Sequence, residues 1–136
     1  MKLKLDKNSW NKLRRLGIQG LSIIIFDDAI GPIPKYVYSK HAKLIRRILQ
    51  DRVFSSKVSI LAKYACEAKL NDELYMIIEC FDSVGERIKT NYIVAQIGED
   101  ADPIKVRTLL KSLKRKLNGL SNINREIIEN YLKELL

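Results

Sequence analysis

Apolar residues recur along this chain with two periods, every second position in some stretches and every third or fourth in others. From Ile18 to Asp27 the residues are largely β-branched and are apolar on both faces between Leu21 and Phe26. Such a run predicts a strand covered on both sides. Asp27-Asp28-Ala29-Ile30-Gly31 has turn chemistry, and Ile33 to Ser39 reads as a returning strand. Pro32 and Pro34 cannot donate ladder hydrogen bonds, which places the start of that strand at a sheet edge or a bulge. Three further alternating runs, Val58 to Ala68, Glu73 to Phe81 and Arg87 to Ile97, are joined by short polar links and predict an antiparallel meander.

The helical period appears in four places. Asn8 to Leu16 sets Trp10, Leu13 and Leu16 along one side, and Gly17 is suited to end it. Ser39 can cap a helix running to about Phe54, with Leu44, Ile45, Ile48, Leu49 and Val53 as its apolar stripe. Asp102-Pro103 is a helix start, followed by Val106, Leu109, Leu110, Leu113 and Leu117 and stopped by Asn118-Gly119. A last helix begins at Ser121 or Asn122 and buries Ile123, Ile127, Ile128, Tyr131, Leu132 and Leu135. With 136 residues and neither a repeat nor a linker, residues 1–136 form one domain of α/β (α+β) class. The expected architecture is a five-stranded antiparallel sheet between helices on both faces, in the order α-β-β-α-β-β-β-α-α.

That order resembles the longin domain and, with a short helix in front, its structural relative the roadblock/LC7 domain. The text carrying the resemblance is Leu21-Ser-Ile-Ile-Ile-Phe-Asp-Asp-Ala-Ile-Gly-Pro-Ile-Pro-Lys-Tyr-Val-Tyr-Ser39, joined by the Asn91 to Gly98 strand and the Asp-Pro start of a Leu-rich helix. The leading helix is extra for a longin domain; for roadblock it is short, and a second C-terminal helix is present. The resemblance implies a non-enzymatic interaction module, associated with small GTPases or trafficking complexes and forming homo- or heterodimers. Docking would use a sheet edge or a helix face.

Charge adds a second possibility. The net charge of +9 is concentrated in residues 1–16 (+5), 33–57 (+6) and 103–117 (+6), while residues 58–102 carry −5. Three readings stay open: solvated faces of amphipathic helices, a surface for an acidic protein partner, or a binder of nucleic acid or an anionic surface. No basic run interleaved with aromatics supports stacking on single strands.

Candidate chemistry is sparse. One histidine and two cysteines cannot build a Cys/His zinc site, and no phosphate-binding glycine loop is present. We therefore expect no catalytic residue, cofactor or metal. Asp27 and Asp28 are neighbours on a strand end and point to opposite faces, which reads as turn formation. His41 falls in the first turn of the basic helix with no orienting acid. A hairpin centred near Leu70-Asn71 puts Cys66 opposite Tyr75 and Cys80 opposite Leu61, out of register for a disulfide. The partner-binding candidates are Trp10, Tyr36 and Tyr38 as aromatic anchors, the Pro32/Pro34 turn, and Lys43, Arg46 and Arg47 on the basic helix. No apolar run approaches a membrane span and no signal-peptide core is visible, so a soluble cytoplasmic protein is expected.

Overall fold

A computed structural model describes residues 2–27, 31–39, 67–70, 72–84, 87–120 and 123–136. Helix α1 (Lys7–Arg15) begins one residue before the expected start because the Asp6 carboxylate accepts the Ser9 N–H at 3.1 Å. Hydrogen bonds from the Ser9 side chain first, and then from its backbone, hold the Asp6 carboxyl below its ordinary pKa. Gly17 ends the helix in the left-handed region, φ 84°.

Five strands follow: β1 (Ile18–Asp27), β2 (Gly31–Ser39), β3 (Glu67–Leu70), β4 (Glu73–Val84) and β5 (Arg87–Ile97). They pair antiparallel in the order β2-β1-β5-β4-β3. β2 lies at the edge with its register broken between Ile23 and Ile24, where Lys35 is the extra residue. Helix α2 (Pro103–Leu117) is capped by Asp102, and α3 (Arg125–Leu135) by Asn124, whose side chain accepts the Ile127 N–H. The last helix thus starts later than Ser121 or Asn122, and Ile123 is buried ahead of it.

The structure corrects the expected architecture. The described residues make an α+β fold with three helices, not the order α-β-β-α-β-β-β-α-α with helices on both faces. All three helices sit on one side of the sheet, where Leu13, Val106, Leu110, Leu113, Ile128 and Leu132 meet three antiparallel strands. Those core-bearing strands are β1, β5 and β4, through Leu21, Ile23, Ile93, Ala95, Met76 and Ile78. Residues of the opposite face, Ile24, Tyr75, Ile77, Tyr92 and Val94, are buried but lie outside that cluster. An apolar strand specifies that its two faces are buried, not which element does the burying.

The meander also differs from expectation. β3 is four residues long, and the expected strand from Val58 through Cys66 lies outside the described residues. The expected helix from Ser39 to Phe54 does too, apart from Ser39, which ends β2. Ala68 pairs with Tyr75, two positions from the Cys66–Tyr75 register expected. The pairing runs on to Leu70 opposite Glu73, and Asp72 in the reversal lies at φ 64°, a conformation that aspartate tolerates better than most residues. Among the described residues no helix is long and apolar enough to cross a membrane.

Candidate interaction surface

The surface that combines shape, charge and aromatic side chains lies around the C-terminal end of α1. The α1–β1 turn is tight: Gly17 N–H donates to the Arg14 carbonyl at 3.0 Å, and Gly17 C=O accepts from Gly98 N–H at 2.9 Å. A Cβ at position 17 would sit 2.5 Å from the Ala101 Cβ. Glycine there lets the start of β1 close onto the β5–α2 connection, which brings Asp100 and Asp102 beside the basic end of α1. That end carries Lys12, Arg14 and Arg15, cations well placed against the negative end of a helix dipole.

Two clefts open on either side of this junction, sharing Arg15 and Asp100. The first, about 690 Å³, has half-buried Leu16, Leu135 and Leu136 with buried Leu109 along its apolar lining. Lys12, Arg15 and Lys105 stand in the same cleft and form no ion pair among the described residues. The second, about 570 Å³, runs from Trp10 and Arg14 to Gln19, Gly98 and Glu99.

Trp10 stands at the mouth of the second cleft and meets Tyr38 of β2 edge-to-face, ring centroids 4.5 Å apart and planes 76° apart. The Arg14 guanidinium lies over the indole, 5.5 Å from its centroid. The Tyr38 hydroxyl is buried and has no hydrogen-bond partner among the described residues. Burial pushes its pKa above the ordinary 10.0, with Arg14 pulling weakly the other way. Two of the aromatic anchors expected from sequence, Trp10 and Tyr38, are thus brought together. Both are half-buried, so the pair is structural on one side and reachable on the other.

The other candidates are dispersed. Pro32, Pro34 and Tyr36 lie along edge strand β2, opposite Phe26, Ile24 and Ile23. Lys43, Arg46 and Arg47 lie outside the described residues, as do Asp28, His41 and Cys66. Asp27 ends β1 opposite Gly31, a turn position. Cys80 is a buried thiol in the helix-side core. Among the described residues, no three His, Cys, Asp or Glu side chains gather where they could hold a metal ion.

The basic α2 helix resolves into distinct environments. Lys116 is engaged by Glu134 at 2.7 Å and lies over the Tyr131 ring, and Lys114 lies over Phe81. Lys105, Lys111 and Arg115 remain exposed. The C-terminal end of α2 also guards a sheet edge. Asn118 Oδ1 accepts the Phe81 N–H at 2.8 Å, and Gly119 N–H donates to the Phe81 carbonyl at 3.2 Å, beyond the stretch of β4 that pairs with β3. These edge contacts, and the clefts themselves, were not foreseen from sequence. The Asn-Gly stop was visible, but its second role on β4 depends on tertiary placement. No protein-family model matches the chain, and no curated protein matches it.

Proposed function

We propose that this chain is a non-enzymatic protein–protein interaction module of the longin or roadblock kind, a small-GTPase-associated or trafficking-type scaffold acting in the cytoplasm. The observation that carries the reading is the surface at the end of α1. There Trp10, half-buried and stacked edge-to-face on Tyr38, lines one of two open clefts, and the cations Lys12, Arg14 and Arg15 stand around both. Large aromatics and arginine beside a pocket are the groups that concentrate binding energy at protein interfaces. The two sheet margins differ in a way that fits docking. β4 is sealed at Phe81 by the end of α2, whereas the outer edge of β2 pairs with no other described strand.

Light scattering at micromolar concentration, with and without nucleotide-loaded small GTPases, tests the proposal. The expected result is a dimer or a GTPase complex that Trp10→Ala weakens. A strict monomer that binds no GTPase overturns it.

A second reading, an electrostatic binder of nucleic acid or an anionic surface, draws on exposed Lys105, Lys111 and Arg115 of α2. Most of the other basic block, 33–57, lies outside the described residues. Phosphate binding would weaken steeply between about 50 and 200 mM salt, and binding indifferent to salt eliminates this reading.

A further inference from the structure

The larger of the two clefts has a composition that specifies its occupant. Its leucines, Leu16, Leu109, Leu135 and Leu136, come from the end of α1, from α2 and from the end of α3, so the cleft lies where three helices converge. Lys12 and Arg15 belong to the α1 side and Lys105 to the α2 side, so positive charge stands on both walls beside the apolar lining. The volume, about 690 Å³, is in the range that accepts several side chains of a ligand. Two acids share the cleft, but Asp102 is occupied in capping α2, accepting the Ile104 N–H at 3.0 Å.

We infer that this cleft receives an amphipathic helix of a protein partner whose apolar stripe is flanked by Asp and Glu residues. Leucine-type side chains would fill the space against Leu16, Leu135 and Leu136, while carboxylates on the helix flanks would meet Arg15, Lys105 and Lys12. A lipid surface is the weaker match. Asp100 stands exposed at the cleft and would oppose a continuous sheet of anionic headgroups, whereas a peptide can place its charges around it. The inference rests on the interaction-module reading and names the chemistry of one partner surface.

Fluorescence anisotropy with a labelled synthetic helix of about 15 residues, leucines at i, i+3, i+4 and i+7 and glutamates on both flanks, tests it. The full chain should bind this probe and should bind neither a lysine-flanked version nor one with serines for leucines. Arg15→Glu combined with Lys105→Glu changes only exposed side chains and should weaken binding at least about tenfold. The same double variant should gain affinity for the lysine-flanked probe, a result that misfolding cannot produce. Equal binding of all three probes, no binding of the glutamate probe at about 1 mM, or an unchanged affinity in the double variant overturns the inference. So does binding of phosphatidylserine vesicles but of no peptide. If a GTPase or a second copy still binds the double variant as well as the parent, while the glutamate probe binds neither, the interaction module stands and the helix-binding cleft falls.

Discussion

The two faces of the sheet are made by alternate residues of the same strands, yet they solve burial differently. On the helix side, neighbouring positions of β1, β5 and β4 present Leu21, Ile23, Ile93, Ala95, Met76 and Ile78, hydrocarbon against the leucines of α2 and α3. On the opposite side the strands carry Ser22, Tyr75, Tyr92 and Gln96 among Ile24, Ile77 and Val94, all buried. The difference shows that accessibility alone does not distinguish a packed hydrocarbon core from a buried surface that retains hydroxyls and amides. The first draws its stability from volume, the second partly from hydrogen bonds that must be made in place.

The largest expected effect comes from truncating neighbours in β5 that point to opposite faces. Ile93 and Val94 are both fully buried. Ile93→Ala should destabilise by about 2–5 kcal/mol, because the clustered helices cannot collapse into the space left. Val94→Ala should cost about 1–2 kcal/mol, in line with two lost carbons at about 0.8 kcal/mol each. Urea denaturation gives both numbers. An equal cost per carbon removed, two carbons for Val94→Ala and three for Ile93→Ala, would show that the two faces are packed alike.

How far this contrast was legible in the sequence follows from the physics of each pattern. The limits of β1 and β5 and the Asp102-Pro103 helix start could be read directly, because β-branched runs, turn residues and caps act over a few residues. The prolines pointed to an edge or a bulge at the start of β2, and the strand has both, an outer place in the sheet and a register break after Pro34. The β3–β4 register was misread because Leu70-Asn71 and Asn71-Asp72 are equally plausible turn centres by composition, and only the backbone at Asp72 decides. The last helix was started too early because Ser121, Asn122 and Asn124 all have cap chemistry, and burial of Ile123 selects Asn124. Of the candidate surface, the aromatic residues Trp10 and Tyr38 could be named but their pairing could not. The clefts could not be anticipated at all, since they form where the ends of three helices and the β5–α2 connection converge.

Each face holds a polar group that sharpens the comparison with a smaller effect. Asn91 is the exception on the helix side, fully buried opposite Cys80, with neither amide atom hydrogen-bonded among the described residues. Asn91→Leu keeps the approximate volume and removes an unsatisfied amide, so stability should rise by about 1–2 kcal/mol. On the other face Tyr75 donates its hydroxyl to Glu73 Oε2 at 2.6 Å, and Tyr75→Phe should lower stability by about 1 kcal/mol. Denaturation midpoints of the two variants should therefore move in opposite directions. A loss of stability in Asn91→Leu would show that the amide is satisfied in solution, by a bound water for instance, and would erase the distinction between the faces.

The smallest effect at neutral pH, and the most selective, concerns the two tyrosines whose ionisation burial opposes. Tyr38 lies on the helix side, opposite Leu21, and Tyr92 lies on the other, opposite Ile24. Burial raises both phenols above their ordinary 10.0; Arg14 tempers the shift at Tyr38, whereas the Glu79 carboxylate adds to it at Tyr92. A phenol that holds its proton more tightly in the folded chain contributes stability in full below 10.0 and loses it as pH climbs through the raised value. Stability should accordingly be insensitive to these two groups near neutrality and fall in the alkaline range. Tyr38→Phe and Tyr92→Phe should each remove part of that fall, and the ultraviolet tyrosinate signal lost in each variant should titrate above 10.0. Added salt separates the two positions further. By screening the nearby charge it should raise the Tyr38 pKa, where Arg14 had been lowering it, and lower the Tyr92 pKa, where Glu79 had been raising it. Salt shifts of the same sign at both would mean that Arg14 and Glu79 do not set the difference between the two phenols.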